Sequence, residues 1–250
     1  MKGQPGWGHV LPLRDFVWLL IGVGGVAPEL GAQATIAIPS SVSCPACEIL
    51  VTPVVKLGGA GSRPWNEISP PTVFRGGQGR YFVGPSGDPA VVAVFDQKGK
   101  PLPGLGRYGN GPGEFVAVGW VLPGAGDSIV VFDRGNRRLS VFGPHLKFAR
   151  SYPVPGVQVF RAAALPKGVI LLQGQSGTRP GAGHTLHPIA SDGAVLRSFG
   201  ARDAALDPTK PLTDQLREVT TDGTGRVWSA RVNRYEIEEW EPNGELRRWS

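Results

Sequence analysis

Cys44 and Cys47 are the two thiols of the chain, and they form a C-x-x-C motif. In cytosolic proteins this spacing is typical of thioredoxin-like redox sites, which belong to a βαβ unit. Here residues 48–58 have the apolar pattern of an extended strand, with no helix after the pair. A single C-x-x-C is also only half of a structural zinc site. We therefore predict a local disulfide, with redox and metal roles as the alternatives.

His184 and His187 are the second candidate for metal chemistry. Residues three apart on a strand point to opposite faces, so these imidazoles diverge unless they lie in a loop. No neighbouring carboxylate or cysteine completes a ligand set. Residues 174–178, Gly-Gln-Ser-Gly-Thr, are similar to a nucleophile elbow but lack its final glycine and a following helix. We interpret both features as ordinary strand and loop residues.

Residues 104–109 match the G-x-G-x-x-G pattern of dinucleotide-binding loops. That pattern holds a pyrophosphate only between a strand and a helix. The Asn-Gly-Pro-Gly at residues 110–113 cannot start a helix. A glycine-rich turn is therefore the favoured interpretation.

The first 34 residues have the three parts of a secretory signal peptide. Lys2 and Arg14 give a positive start, residues 16–26 form an apolar run, and the small residues Ala32 and Ala34 fit a cleavage site. The run has 11 residues, whereas a membrane-spanning helix needs about 20. We predict cleavage after Ala34 and a mature chain without a membrane span. The predicted location is the periplasm, the cell surface or the extracellular space.

Glycine and proline supply 37 and 24 of the 250 residues, without a collagen-like period. Because short apolar runs separate the Gly/Pro clusters, this composition indicates many tight turns. The formal net charge of +6 is spread along the chain rather than gathered in one patch. Nucleic-acid-binding proteins concentrate their positive charge, so no nucleic-acid partner is expected.

The strongest regularity is a repeat that contains only strand patterns and turns. Its last turn falls at Gly99, Pro144, Gly193 and Gly244, at intervals of 45, 49 and 51 residues. One four-stranded sheet cannot bury both of its faces, whereas sheets stacked radially cover each other. The sequence therefore predicts an all-β propeller of four-stranded blades. The competing β-sandwich does not require turns at a constant position in each unit.

Residues 107–115, Arg-Tyr-Gly-Asn-Gly-Pro-Gly-Glu-Phe, resemble the loop between successive blades of NHL-type and related six-bladed β-propellers. The residues of this predicted blade-linking loop are Gly109, Gly111, Pro112, Gly113, Glu114 and Phe115. Within the loop, we expect the Glu114 carboxylate to accept backbone N–H bonds. Residues 49–58, with the C-x-x-C before them, resemble the leading strand of exported bacterial six-bladed propellers.

In such propellers the leading strand closes the ring by joining a last blade that lacks one strand. Here the last repeat has four strand patterns of its own, ending at residues 245–249. The resemblance therefore implies about four blades of a probable six, in a copy cut off after Ser250. The predicted organisation is a signal peptide at 1–34, the C-x-x-C segment with the leading strand at 35–58, and blades at 59–250.

Propellers host unrelated activities, so the resemblance implies fold more than function. We expect an exported binding or scaffold module for an unknown protein or small-molecule ligand, without catalytic residues. The alternative is a propeller enzyme, a lactone hydrolase or lyase with metal ligands or polar groups around the central channel.

No cofactor is assigned from the sequence. Four aspartates recur at predicted turns, Asp96, Asp133, Asp192 and Asp222. Such residues usually bond their own backbone, and a Ca²⁺ site is the alternative. Three tryptophans are expected to pack in the core or between blades, with lining of the central opening as the alternative: Trp65, Trp120 and Trp228.

Overall fold

The computed structural model describes residues 50–58, 71–85, 88–154, 156–176, 183–201, 216–232 and 236–249. The predicted signal peptide with Ala32 and Ala34, the pair Cys44 and Cys47, and Trp65 lie outside these ranges.

The described strands form four sheets of four strands each, which we call blades I to IV. Blade I contains β1 (Thr72–Arg75), β2 (Tyr81–Gly84), β3 (Val92–Phe95) and β4 (Pro101–Leu105). Blade II contains β5 (Val118–Pro123), β6 (Ile129–Asp133), β7 (Arg138–Phe142) and β8 (Phe148–Pro153). Blade III contains β9 (Val157–Ala164), β10 (Ile170–Ser176), β11 (His184–Ile189) and β12 (Phe199–Ala201). Blade IV contains β13 (Arg217–Thr221), β14 (Val227–Arg231), β15 (Ile237–Trp240) and β16 (Leu246–Trp249).

Each blade is an antiparallel meander whose strands pair in chain order. The first strands of successive blades pack side by side, with β1 against β5, β5 against β9 and β9 against β13. This arrangement confirms the prediction of an all-β propeller of four-stranded blades. Among the described residues, no helix has the length and apolar character needed to cross a membrane.

The meander gives the propeller two different faces. The turns between first and second strands, and between third and fourth strands, lie at one end of the sheets, which we call the turn face. The second-to-third connections and the links between blades lie at the opposite end, the loop face.

Left-handed residues shape the third-to-fourth turns. Gly99, Gly193 and Gly244 have φ values of +81°, +93° and +82°, which glycine adopts without steric cost. In blade II the equivalent residue is Leu146, with φ +60°, and not Pro144, which the sequence suggested. Counted from these residues, the blades repeat at intervals of 47, 47 and 51 residues.

Apolar side chains fill the space between neighbouring blades in three clusters. The first joins blades I and II and includes Phe82 and Val131; the second joins blades II and III and includes Leu139 and Ile170. The third joins blades III and IV around Leu171. Blades I to III thus each bury one face against the next blade, which is the reason for radial stacking.

Residues 50–58 form no strand, in contrast to the leading strand that the sequence suggested. Each of the four described sheets contains four strands of its own, so none of them lacks a strand that this segment would supply. The segment instead lies beside the third turn of blade I, where the Gly58 N–H donates to the Gly99 carbonyl oxygen at 3.1 Å. Leu50, Val51 and Val54 are exposed.

Candidate functional site

Residues 106–117 connect β4 of blade I to β5 of blade II on the loop face. Backbone hydrogen bonds close this segment, which we call the linking loop. The Phe115 N–H donates to the Arg107 oxygen at 2.7 Å, and the Gly109 N–H donates to the Phe115 oxygen at 3.0 Å. Backbone hydrogen bonds between its two ends therefore hold the linking loop closed.

Phe115 anchors the linking loop in the core. Its side chain is fully buried, and its ring lies 5.9 Å from that of Phe142 in blade II. Gly106, with φ +92°, lies directly against this ring, because a Cβ there would come within 2.2 Å of it. Any side chain at position 106 would displace the anchor.

Glu114 serves the linking loop itself. Its carboxylate accepts a hydrogen bond from the Gly111 N–H at 2.8 Å and pairs with Arg107 at 2.7 Å. The Gly111 N–H and then Arg107 hold the pKa of Glu114 below its ordinary value. A carboxylate held ionised in this way is a poor proton donor.

Asp133, at the end of β6, fixes the end of the linking loop from blade II. Its side chain is fully buried, and its carboxylate accepts hydrogen bonds from four backbone N–H groups. The donors are Val116, Ala117, Gly135 and Asn136, at 3.1 to 3.3 Å. Because all of these donors share one buried carboxylate, Asp133 joins the end of the linking loop to the β6–β7 turn.

Asn136 and Arg138 extend this anchor. The Asn136 amide donates to the Gly109 carbonyl oxygen at 3.1 Å. The terminal nitrogens of Arg138 donate to the carbonyl oxygens of Asn110, Gly111 and Glu114 at 2.7 to 2.8 Å. Sequence reasoning missed both residues as loop partners; the Asp-x-x-Asn-x-Arg spacing across the β6–β7 turn was the available signal.

Two large side chains project from the fixed loop into solvent. The Arg107 side chain is 80% exposed, and Tyr108 is 74% exposed. Arginine and tyrosine are enriched among residues that dominate the energy of protein interfaces. The linking loop therefore presents two large exposed side chains, and its described groups include no nucleophile with an adjacent base.

An ion pair joins the first strands of blades III and IV. Nε of Arg161 lies 3.0 and 2.9 Å from the two carboxylate oxygens of Glu218. The Thr221 hydroxyl donates to the Ala164 oxygen at 2.8 Å across the same interface. These groups bond each other, so they tie blades together.

The two histidines lie on β11, where strand geometry directs them to opposite faces. His187 is buried, its Nδ1 lies 3.0 Å from the Ser198 hydroxyl, and burial lowers its pKa. Its Nε2 has no hydrogen-bond partner among the described residues. Within the same part of the chain, no group of three or more potential metal ligands comes together.

The other sequence candidates occupy structural positions. The glycine-rich stretch 104–109 ends β4 and enters the linking loop, and no helix follows it. Ser176 is the last residue of β10, while Gly177 and Thr178 lie outside the described residues. Trp120 packs against Phe132 with ring centroids 5.6 Å apart.

The turn aspartates bond their own backbone. Asp96 accepts from the Lys98 and Lys100 N–H groups, and Asp192 accepts from the Ala194 N–H. Asp222 accepts from the Thr224 and Arg226 N–H groups and from the Thr224 hydroxyl. Their carboxylates thus have the local role that turn aspartates usually have.

The fold and the linking loop together define the chain as a β-propeller. No family model matches the sequence, and no curated protein matches it. Solved structures do match by fold. A predicted exported protein of Bacteroides fragilis has a TM-score of 0.60 at 13% identity, covering 77% of this chain and 52% of that one.

A catalytically inactive variant of virginiamycin B lyase from Staphylococcus aureus, solved with quinupristin, matches with a TM-score of 0.50. The identity is 11%, and the match covers 73% of this chain and 56% of the lyase. The chain thus spans about half the length of these structures. At such identities the likeness shows the propeller fold and no activity.

Proposed function

We propose that the protein is an exported binding or scaffold module that engages its partner through the linking loop. The observation that carries this proposal is the exposure of Arg107 and Tyr108 on a loop whose base is fixed by Asp133 and Arg138. A loop ordered before binding loses little conformational entropy on association. The partner gains an arginine and an aromatic ring in a constant geometry.

The experiment that tests this function compares capture of envelope proteins by the wild-type chain and by Arg107→Ala/Tyr108→Ser. We expect a specific partner to be retained by the wild type and lost from the double variant. Leu196→Ser, another exposed apolar position, is the matched control and should retain the partner. Equal retention by the double variant would remove the linking loop from the proposal.

Export is proposed from the signal pattern of residues 1–34, and the Bacteroides fragilis relative in fold is itself a predicted exported protein. Cleavage after Ala34 gives a mature chain that begins at Thr35. N-terminal sequencing of secreted material tests this directly, and material that still begins at Met1 would refute it. The disulfide between Cys44 and Cys47 belongs to the same proposal, and thiol titration of unreduced protein tests it.

We further propose that the four blades belong to a six-bladed ring. The third turns of blades III and IV each rest on the fourth strand of the blade before them. A Cβ at Gly193 would lie 2.8 Å from the Tyr152 ring of β8, and one at Gly244 would lie 2.9 Å from the Phe199 ring of β12.

Blade I has the same kind of contact, but with residues 50–58. A Cβ at Gly99 would lie 2.1 Å from the Lys56 oxygen and 3.1 Å from the Val55 side chain. Residues 50–58 therefore have the position of a fourth strand toward blade I. Blade IV has its own fourth strand, β16, so this segment fits a further blade and supports a larger ring.

The outward face of blade IV supports the same proposal. Trp228 and Ile237 lie on the face opposite the blade III cluster and are 36% and 50% exposed. We expect the chain of residues 35–250 to associate through such faces, and Ile237→Lys to reduce the association in sedimentation experiments. A monomer with a sharp thermal transition and no response to the substitution would contradict the larger ring.

The alternative function, a metal-assisted propeller lyase or hydrolase, would need ligands around the central channel. Among the described residues, Arg161 and Glu218 on the first strands of blades III and IV bond each other, so neither side chain is free to hold a metal ion. Metal analysis separates the two functions. Stoichiometric Ca²⁺ or Zn²⁺ in the purified chain would favour the enzyme.

A further inference from the structure

A cleft of about 310 Å³ lies between blades II and III on the turn face, opposite the linking loop. This volume is at the lower end of the range of small-molecule sites, about 300 to 1,000 Å³. Its walls come from the first turns of both blades, from β8, and from the third turns. The cleft is a separate feature from the linking loop, and the function argued above does not use it.

Tyr152 of β8 lines the cleft and carries an unsatisfied hydroxyl. The side chain is 8% exposed, and its hydroxyl oxygen is buried with no hydrogen-bond partner among the described residues. A buried polar group without a partner costs about 1–3 kcal/mol. Burial raises the pKa of Tyr152, so the phenol is a neutral donor that lacks an acceptor.

Arg150, two residues earlier on the same strand, brings positive charge to the cleft. Its Nε and Nη2 both donate to the Ser191 carbonyl oxygen, at 3.2 and 2.8 Å. These two bonds hold the guanidinium plane and leave Nη1 without a described partner. Arg150 lowers the pKa of Tyr152 and Asp192 raises it, each by less than burial does.

Small and apolar residues form the rest of the lining. The first turns of blades II and III meet where a Cβ at Gly168 would lie 2.8 Å from Ala125. A Cβ at Gly126 would meet nothing within 4 Å, so the cleft is open on that side. Val130 and Val141 supply apolar surface.

These features define the ligand by its chemistry. A guanidinium and a neutral phenol are complementary to a carboxylate, and the apolar wall is complementary to a compact hydrocarbon body. We propose that the cleft binds a small organic carboxylate with an apolar body, whose carboxylate accepts hydrogen bonds from Arg150 and Tyr152.

The test is an NMR titration of the ¹⁵N-labelled chain with benzoate. We expect the amide signals of Gly126, Gly143 and Gly168, which line the cleft, to shift with a dissociation constant of about 1 mM or below. Benzyl alcohol has the same ring without the charge and should bind much more weakly. Inorganic sulfate has charge without the apolar body and should also bind more weakly.

Two variants assign the binding groups. Tyr152→Phe keeps the ring beneath Gly193 and removes only the hydroxyl, and Arg150→Gln removes the charge. Each should weaken benzoate about 10-fold, the usual effect of losing one charge-assisted hydrogen bond. Arg134→Gln, an exposed arginine on the loop face, is the matched control and should bind as the wild type does.

Three outcomes would overturn the proposal: no shift of the cleft amides in the wild type, equal binding of benzyl alcohol, or unchanged affinity in both variants. A loss of binding in Tyr152→Phe would not result from unfolding of the variant. Tyr152→Phe removes an unsatisfied polar group and is expected to fold with unchanged or higher stability. The result is also separate from partner capture, since Tyr108 lies on the other face.

Discussion

The side-chain amide of Asn136 donates to the Asp133 carboxylate at 2.6 Å. The same amide nitrogen lies 3.1 Å from the Gly109 carbonyl oxygen. One short turn of blade II therefore holds the loop that leaves blade I. This contact joins the two blades by polar groups as well as by the apolar cluster between them.

Asp133→Ala should destabilise the chain strongly, because it removes a buried carboxylate that accepts hydrogen bonds from four backbone N–H groups. The expected loss in the free energy of unfolding is about 2–4 kcal/mol. Asp192→Ala, which loses one exposed turn bond, should cost less than about 1 kcal/mol. Urea denaturation measures both, and equal losses would contradict the anchoring role of Asp133.

Arg138→Lys keeps the charge but cannot reproduce the forked bonds to the carbonyl oxygens of Gly111 and Glu114. We expect a cost of about 1–2 kcal/mol, concentrated in the linking loop. Hydrogen exchange should be faster at the Gly109 and Phe115 amides than in the wild type. Arg134→Lys is the control, and similar exchange in both variants would argue against the role of Arg138.

Gly244→Ala tests the contact between successive blades. The new methyl group would come within 2.9 Å of the Phe199 ring at a φ of +82°. Gly183 has a similar φ of +85° but open space around it. We expect both alanine variants to pay about 1 kcal/mol for the backbone, and Gly244→Ala to lose a further 1–3 kcal/mol by overpacking. Thermal melts that coincide for the two variants would contradict the contact.

Buried His187 should make stability depend on pH. Its pKa is lowered by burial, so the unfolded chain takes up this proton more readily than the folded one. The stability that the neutral, buried imidazole contributes is fully present above the unfolded pKa of about 6.5. This stability is lost as the pH falls toward the folded pKa of His187. In His187→Gln, the melting temperature should fall less than in the wild type as the pH is lowered below about 7. Thermal melts at intervals of about one pH unit measure this difference.

The exposed His145, replaced by glutamine, serves as the control for that series. Its variant should follow the wild-type pH profile. If the His187→Gln profile also follows the wild type, burial of His187 does not govern the acid limb.

The four blades could be predicted from sequence because their turns depend on local properties. Gly99, Gly193 and Gly244 occupy left-handed positions that few other residues tolerate, so their spacing reveals the repeat. Blade II was placed less accurately because Leu146 occupies the same position without a glycine.

The site residues were harder to predict because their partners are distant in sequence. Arg138 bonds carbonyl groups 24 to 28 residues earlier, and backbone carbonyls leave no mark in the residue types. The role of Tyr152 could not be predicted either, because turns from two different blades form its environment. Residues 50–58 had the composition of a strand, yet the described sheets contain no free place for one.

The contacts between third turns and the preceding blades follow the order of the chain. Gly193 packs against Tyr152 and Gly244 against Phe199, so the third turns of blades III and IV lie against strands that come earlier in the chain. Blade I finds its support in residues 50–58. In a chain that emerges amino end first, the strand against which each of these third turns packs is therefore already present when the turn is synthesised.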